Sequence, residues 1–309
     1  MEFCEMSETS QASQAKNKSW LPTYIALGII WGTSFLFIEK SLTFLTPVGV
    51  AFLRSLLGAS SLWIVLIFKR IQLTRDYLLI FQLWVMGLLL NVFPGILFAF
   101  AQERVSSILA GIMNALTPLM SVIMILLLFR SEKLTIERIL GIFLGFIGVV
   151  IVLAIGESVG TISWSAIASL LLAVLCYGIS YPFSSRYITP RNLNSSMLAT
   201  IQVSLAALTL LPFFLYHGID SYDISLDAAI SIFALGVLGT GFAYIWNFRN
   251  VALAGPAMAS TVTYLTPLVA VAVGAIFLGE PLSWNEPLGG LIVLLGSAIA
   301  QGRIKLSRR

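Results

Sequence analysis

Long apolar stretches separated by short polar ones run along almost the whole chain. A bilayer core of about 30 Å requires roughly 20 consecutive apolar residues for one membrane-spanning helix. Polar connections rich in charge, Pro, Asn and Ser separate the stretches. The pattern predicts ten transmembrane helices, at residues 21–39, 48–68, 77–101, 107–129, 139–155, 165–185, 197–217, 228–248, 257–278 and 285–302.

The composition of the chain excludes a water-soluble globular protein. Of its 309 residues, 58% are hydrophobic and 10% are charged, whereas soluble domains carry about 25% charged residues. So few charges cannot cover a water-facing surface, and no polar stretch leaves room for a soluble domain. The chain is therefore predicted to be an all-α integral membrane protein embedded in a lipid bilayer.

The positions of Lys and Arg predict how the helices are oriented. Short loops rich in these residues stay on the cytoplasmic side of a membrane. When the N-terminus is placed inside, only Lys40 and Arg104 fall in outer loops, Arg54 lies within a segment, and all other cationic residues are cytoplasmic. Both termini are thus predicted to be cytoplasmic, with a polar tail at 1–20 and a basic tail at 303–309. The net charge of +4 follows from this asymmetry and does not indicate binding to nucleic acid.

Two stretches of the chain, 114–148 and 263–296, resemble each other. Both contain Leu-Thr-Pro-Leu, followed at matching distances by a Phe, a Glu and two Gly residues when one residue is deleted. We therefore predict two related five-helix repeats, 21–155 and 163–302. Because five is odd, the second repeat enters the membrane with the opposite orientation, and such inverted repeats hold substrate near the midplane between them.

The repeated motif places Pro118 and Pro267 inside apolar helices. A proline removes one backbone hydrogen bond, and the stranded carbonyl, at Asn114 or Thr263, needs a partner from protein or from a water-filled cavity. These prolines either shape the helices for packing or act as hinges, and both roles stay open. Polar residues at helical spacing extend two stripes that should face a shared interior. The stripes contain Asn114 and Thr117 on one helix, and Thr263 and Tyr264 on the other.

Four other segments carry comparable polar or aromatic residues near their centres. Helical spacing brings several of them to one face. We predict that they line a single cavity together with the two stripes, built from segments 1, 3, 4, 6, 8 and 9. For Trp31, packing in the core is an equally good interpretation. The added lining residues are Trp31, Asn91, Tyr177, Tyr181, Tyr244 and Asn247.

Four stretches carry a family resemblance. They are ALGIIWGTSFLFIEK at 26–40, VAFLRSLLGA at 50–59, and one copy in each half of a helix-then-glutamate motif, LTPLMSVIMILLLFRSEKLT and LTPLVAVAVGAIFLGEPLS. In this order they resemble the EamA-like family of the drug/metabolite transporter superfamily, over about 21–302. The resemblance implies a ten-helix carrier that moves small organic metabolites, often amino acids or related compounds, and frequently outward. The residues that match the family one by one are Trp31, Gly32, Arg54, Gln202, Pro118, Pro267, Glu132 and Glu280.

Charged residues near the segment ends have structural interpretations. Arg54 is a candidate functional charge, but it lies about two turns from the outer interface, which favours a structural pair with Glu39. Glu132 and Glu280 directly follow their helices, and we expect them to cap the helices that begin next. No Asp or Glu occupies the middle of a segment. Transport is therefore predicted to follow a gradient, or to couple weakly through a peripheral carboxylate such as Glu39.

The chain offers no set of residues for catalysis. The single histidine, His217, lies near Asp220 and Asp223 in what reads as a solvated outer loop, with no cysteine beside it. The sequence therefore predicts neither an enzyme nor a metal site nor a cofactor. We expect a transporter that exports a small organic metabolite by alternating access. An uptake permease of the same fold and a polytopic membrane protein that transports nothing stay open as alternatives.

The chemistry of the predicted cavity limits the substrate. Aromatic rings and amides suit a small zwitterionic or neutral molecule with an apolar part, because a polyanion would need several intramembrane arginines and only Arg54 is present. We place the substrate between Asn114 and Thr263. A monomer and a homodimer both fit the sequence. A bacterial inner membrane is the favoured location, and organellar or eukaryotic membranes stay open.

Overall fold

The computed structural model describes residues 20–129, 135–154, 163–254, 259 and 261–304. Within these residues the chain is helical, and the only β contact is an isolated antiparallel bridge between Leu45 and Ile219. The helices that cover the apolar segments are labelled α1 to α10 in chain order. Their bounds are Leu21–Ser41 (α1), Pro47–Lys69 (α2), Tyr77–Gln102 (α3), Ser107–Phe129 (α4), Ile136–Ala154 (α5), Trp164–Tyr187 (α6), Ser195–His217 (α7), 226–254 (α8), Thr261–Leu278 (α9) and Asn285–Ala300 (α10).

The lengths of these helices agree with an integral membrane protein. Among the described residues, nine helices are long and apolar enough to cross a bilayer. The exception is α10, which is apolar but has 16 residues. At 1.5 Å per residue it is about 24 Å long, shorter than a hydrocarbon core of about 30 Å.

Side-chain caps determine where several helices begin. A short polar side chain just before the helix accepts a hydrogen bond from a first-turn N–H that has no helical partner. At Asp76 the N–H of Leu79 is the main reason that the pKa of the carboxyl lies below its ordinary value, and the Arg191 guanidinium adds to this effect. The polar connections of the sequence therefore contain the helix starts. The capping residues are Thr46 (α2), Asp76 (α3), Ser106 (α4), Ser163 (α6), Asn194 (α7) and Ser225 (α8).

Four helices change their hydrogen-bonding pattern inside the apolar region. Each contains a π-helical turn, and the four helices are the third and fourth of each predicted half. In addition, α4 is interrupted by a turn at residues 115–116 just before Pro118, and α9 begins with the 3-10 turn Thr261–Tyr264 just before Pro267. Proline cannot continue the α-helical ladder, which accounts for these two breaks. The π turns are Leu88–Val92 (α3), Ile125–Phe129 (α4), Val237–Phe242 (α8) and Gly274–Leu278 (α9).

Helices from the two predicted halves interleave. α1 packs against α8 and α9, α6 packs against α3 and α4, and α2 packs against α7. The largest apolar cluster joins α4 and α6 to α1 and includes Phe35, Leu116 and Leu170, each at most 5% exposed. This arrangement surrounds a central space with residues of α1, α3, α4, α6, α8 and α9, and it holds α2 against them.

Glycines bring α5 and α10 together with their backbones in contact. A Cβ on Gly148 would lie 2.8 Å from the carbonyl oxygen of Gly289, and a Cβ on Gly296 would lie 2.7 Å from the carbonyl oxygen of Gly141. Small residues of this kind allow the close helix approach that stabilises packing within a bilayer.

Glu280, in the connection between α9 and α10, caps a helix of the other predicted half. Its Oε1 accepts a hydrogen bond from the N–H of Ser107 (2.8 Å), and its Oε2 accepts from the N–H of Ile108 and the hydroxyl of Ser107 (both 3.0 Å). The expected cap is present, but on α4. The expectation that Glu280 caps the next helix, α10, is wrong because α9 packs on α4 and carries the carboxylate to the start of that helix. Glu132 lies outside the described residues.

Gly296 provides a test of the close contact between α5 and α10. We expect Gly296→Ala to lower the stability of the protein by about 1–3 kcal/mol, because the added methyl group meets backbone atoms that cannot move aside. Thermal unfolding of the purified protein in detergent measures the effect. Gly290→Ala, in the same helix, is the matched control, because its new Cβ would come no closer than 3.3 Å to the Ile112 side chain. Equal melting temperatures for the two variants would contradict the proposed backbone contact.

Candidate functional site

A cavity lies among seven of the helices, and its free space for water-sized molecules is about 60 Å³. Half of the described lining residues are aromatic, and these residues include one cationic side chain but no carboxylate, histidine or thiol. Among the described residues, no three His, Cys, Asp or Glu side chains group together in a way that would hold a metal ion. The lining residues are Trp31, Ser34, Phe35, Ile38, Arg54, Leu90, Phe98, Asn114, Tyr177, Tyr181, Tyr244 and Thr263.

One face of α1 supplies four of the lining residues. Trp31, Ser34, Phe35 and Ile38 are spaced at i, i+3, i+4 and i+7, which places them on one side of a helix. Gly32 lies against α9, where its missing side chain leaves room for Val269 and the Thr266 carbonyl. The close contact of α1 with α9 therefore turns the Trp31 face towards the cavity.

Two tyrosines of α6 face the cavity with their hydroxyl groups available. Tyr177 and Tyr181 are one turn apart, and the Tyr177 ring stacks on Phe98 with 5.8 Å between the centroids. Within the described part of the chain, neither hydroxyl has a hydrogen-bond partner. Both can therefore donate to, or accept from, a bound molecule.

Two aromatic side chains of the cavity wall donate hydrogen bonds to carbonyls in the π turns of α3 and α8. Tyr244 of α8 donates its hydroxyl hydrogen bond to the Leu90 carbonyl of α3 (3.0 Å). The α-helical partner of that carbonyl would be the amide of residue 94, which is Pro94 and has no N–H. Trp31 donates from Nε1 to the Gly239 carbonyl of α8 (3.2 Å), and its ring meets Tyr244 edge to face with 6.2 Å between the centroids. The two aromatic residues thus line the cavity and also stabilise its irregular backbone.

A second polar connection joins the breaks of α4 and α9. Asn114 donates from Nδ2 to the Thr266 hydroxyl (3.2 Å), which in turn donates to the Thr263 carbonyl (3.1 Å). This is the carbonyl that Pro267 leaves without its helical partner. Within α4, the hydroxyl of Thr117 donates a hydrogen bond to Asn114 Oδ1 (3.2 Å). The breaks of α4 and α9 are therefore joined through Asn114, Thr266 and Thr263.

Arg54 of α2 lies in the cavity wall, and its position differs from expectation. Its Nε donates to the Thr240 hydroxyl (3.2 Å). Among the described residues no carboxylate lies within 4.0 Å of the guanidinium. The expected pair with Glu39 is therefore wrong: Glu39 instead accepts a hydrogen bond from Gln102 Nε2 (3.4 Å).

The cavity brings together six of the ten residues predicted to bind substrate, and four lie elsewhere. Asn91 is buried and accepts a hydrogen bond from Gln202 Nε2 (2.9 Å), so that it joins α3 to α7. Thr117 is hydrogen-bonded to Asn114 but is not among the residues that line the cavity. Asn247 lines a smaller cavity, which Tyr181 also lines. Tyr264 lines neither of these two cavities.

Sequence reasoning missed four apolar residues of the lining. Phe35 and Ile38 lie on the same face of α1 as Trp31, at i+4 and i+7. This spacing could have identified them as lining residues. Leu90 was detectable because it lies four positions before Pro94, so that its carbonyl needs a donor other than the amide of residue 94. Phe98 carries no such signal in the sequence.

Comparison with known proteins gives a consistent result along the chain. A model of the EamA-like transporter family matches residues 18–154 and again 164–301. An uncharacterized transporter of Archaeoglobus fulgidus is 28% identical over 282 residues, which cover 90% of this chain and 97% of that protein. The transporter YdfC of Bacillus subtilis is 27% identical and covers 86% of each chain, and the inner membrane transporter YedA of Escherichia coli is 28% identical and covers 90% and 89%.

A solved structure shares the fold. A crystal structure with 21% sequence identity superposes with a TM-score of 0.60 over 90% of this chain and 97% of the other.

Tyr244→Phe tests whether the cavity wall depends on the hydrogen bond to Leu90. We expect a loss of about 0.5–1.5 kcal/mol in stability, because the variant removes the side-chain donor of a carbonyl whose α-helical partner would be Pro94. Tyr177→Phe is the matched control, since it removes a cavity hydroxyl that bonds to no described residue. Thermal unfolding in detergent compares the two. If the Tyr244→Phe and Tyr177→Phe proteins have the same melting temperature, the Leu90 carbonyl must have another hydrogen-bond donor.

Proposed function

The chain belongs to the EamA-like transporter family, and on this basis we propose that it exports a small organic metabolite, an amino acid or a related compound, by alternating access. The membrane-transporter class follows from the family. The substrate, the direction and the mechanism are our proposal.

The observation that carries the proposal is the cavity between the two family matches. Its wall contains residues of the first match, such as Trp31 and Asn114, and residues of the second, such as Tyr181 and Tyr244. Aromatic rings, hydroxyls and one amide in a single cavity suit a small molecule with polar and apolar parts.

The two matches of the family model support an inverted repeat. We propose ten spanning helices, five in each of the repeats 21–155 and 163–302, with α10 as the shortest span and both termini in the cytoplasm. The Lys and Arg distribution supports this orientation, and the equivalent positions of the π turns in α3 and α8, and in α4 and α9, support the repeat. A bacterial inner membrane is the proposed location.

Alternating access requires helices that change shape near the substrate. The irregular parts of α3, α4, α8 and α9 surround the cavity, and side chains, not continuous α-helical ladders, hold them together. Such helices bend at lower cost than regular ones, so that one half can rock against the other. In this proposal Pro118 and Pro267 serve both the packing and the hinge.

Export by the unaltered protein and by an Asn114→Ala, Thr263→Ala variant tests the proposed function. Cells expressing each protein are compared for intracellular and extracellular metabolites. We expect one class of compounds to leave the cell about 30-fold more slowly with the variant, because each hydrogen bond to substrate contributes about 1 kcal/mol.

Thr33→Ala, Ser60→Ala is the matched control, since these hydroxyls bond only to carbonyls of their own helices. A compound that accumulates inside the cells would show uptake and reverse the proposed direction. Identical metabolites with and without the well-expressed protein would contradict transport of a cell metabolite.

Glu39→Gln tests the role of the carboxylate that directly follows the lining residue Ile38. We expect the variant to keep at least about half of the transport rate, because Gln preserves the side-chain volume and Glu39 is not part of the lining. The rate in reconstituted vesicles, with and without a pH gradient, is the measurement. Complete loss of transport would show that this carboxylate carries the coupling.

A further inference from the structure

Arg54 places a positive charge inside the apolar part of the protein. It lies seven residues after the start of α2, about 10 Å along the helix axis. A cation at this depth is costly in a bilayer and is normally paired or exposed to a water-filled cavity. Its guanidinium belongs to the lining of the large cavity.

Most of the hydrogen-bonding capacity of Arg54 is unused within the protein. A guanidinium has five N–H donors. One of them bonds to the Thr240 hydroxyl, and no other described residue accepts a hydrogen bond from this side chain. The donors that stay free are those of the two terminal nitrogens, which together form the fork that binds a carboxylate with two parallel hydrogen bonds.

The carboxylates of Glu39 and Glu280 are engaged with other groups. Glu39 accepts a hydrogen bond from Gln102, and the carboxylate of Glu280 caps α4 through Ser107 and Ile108. No lining residue of the cavity is acidic. The cavity therefore carries one net positive charge that its own wall does not neutralise.

The rest of the wall is suited to an apolar ring. Trp31, Phe35, Phe98 and Tyr177 place four aromatic side chains around the same space as Arg54. Their rings offer stacking and edge contacts to a flat apolar group. A ligand that fits this wall has one anionic end and one aromatic or similarly apolar body.

We propose that the cavity binds monoanionic, ring-bearing carboxylic acids, with the substrate carboxylate paired to the guanidinium of Arg54. This inference rests on the proposed function, in which the cavity is the transport site, and it narrows the related compounds of that proposal to acids without an ammonium group. One carboxylate neutralises the single charge of the wall. A dianion leaves one charge unpaired, and an amine adds a second cation, so that both are rejected.

A series of matched ligands tests the proposal on the unaltered protein. The probes are 3-phenylpropionate, its uncharged amide, phenethylamine, L-phenylalanine and the dianion benzylmalonate. Binding to purified protein in lipid nanodiscs is measured by the change in tryptophan fluorescence and by thermal stabilisation. We expect 3-phenylpropionate to bind about 30-fold more tightly than its amide, because the amide leaves a buried charge unpaired. The amine and the dianion should not bind.

Two results with this series would overturn the proposal. Equal affinity for the acid and its amide would show that Arg54 does not select charge. Binding of L-phenylalanine without binding of 3-phenylpropionate would show that the site requires an ammonium group, and hence a zwitterion.

Variants of Arg54 assign the selectivity to this residue. Arg54→Gln should bind the acid and the amide within about threefold of each other, and Arg54→Lys should keep part of the preference because it retains the charge without the fork. Arg104→Gln is the matched control, since Arg104 pairs with Glu103 at an exposed helix end. An Arg54→Gln protein that still prefers the acid as the unaltered protein does would contradict the assignment.

Transport distinguishes this inference from the proposed function. If cells export a compound without a carboxylate, the proposed function stands and the substrate class is wrong. If the acid binds with the expected selectivity but is not carried across reconstituted vesicles, the binding site stands and the transport role of the cavity is wrong.

Discussion

A backbone carbonyl that loses its helical partner inside a bilayer must find another hydrogen-bond donor, and the centre of this protein is organised around that requirement. The Leu90 carbonyl, whose α-helical partner would be the amide of Pro94, receives the hydroxyl of Tyr244. The Thr263 carbonyl, whose α-helical partner would be the amide of Pro267, receives the hydroxyl of Thr266. In both cases the compensating group is a side chain. Side chains can give up such bonds without unwinding a helix, which makes the breaks stable and adjustable.

The same requirement explains why the irregular backbone and the cavity coincide. Tyr244 lines the cavity while it bonds to α3, and Trp31 lines it while it bonds to the π turn of α8. A bound molecule that contacts these rings therefore also contacts the groups that hold the irregular helices. Binding and helix geometry are linked through the same few atoms, so that a ligand can shift the balance between two arrangements of the halves.

Patterns along the chain predicted the helices and breaks well, and the neighbours of individual side chains less well. The length of apolar runs and the positions of Pro118 and Pro267 depend on local rules, and these features were found. Helical spacing shows which face Asn91 occupies, but it does not show that Gln202 lies opposite. The pairing of Arg54 failed because Gln102, from a distant segment, bonds to Glu39. Phe98 was missed because in a membrane protein an apolar side chain facing lipid and one facing a cavity have the same character.

The cap that Glu280 provides has a consequence for the order of assembly. The helix that it caps begins 173 residues earlier in the chain. At about 5–20 residues per second, a ribosome needs roughly 10–35 seconds to synthesise that distance. During this interval the start of α4 has only the Ser106 side chain as a cap. The first half therefore stays in the membrane with its fourth helix incompletely capped, and it reaches its final form only when the last helices of the chain have been inserted.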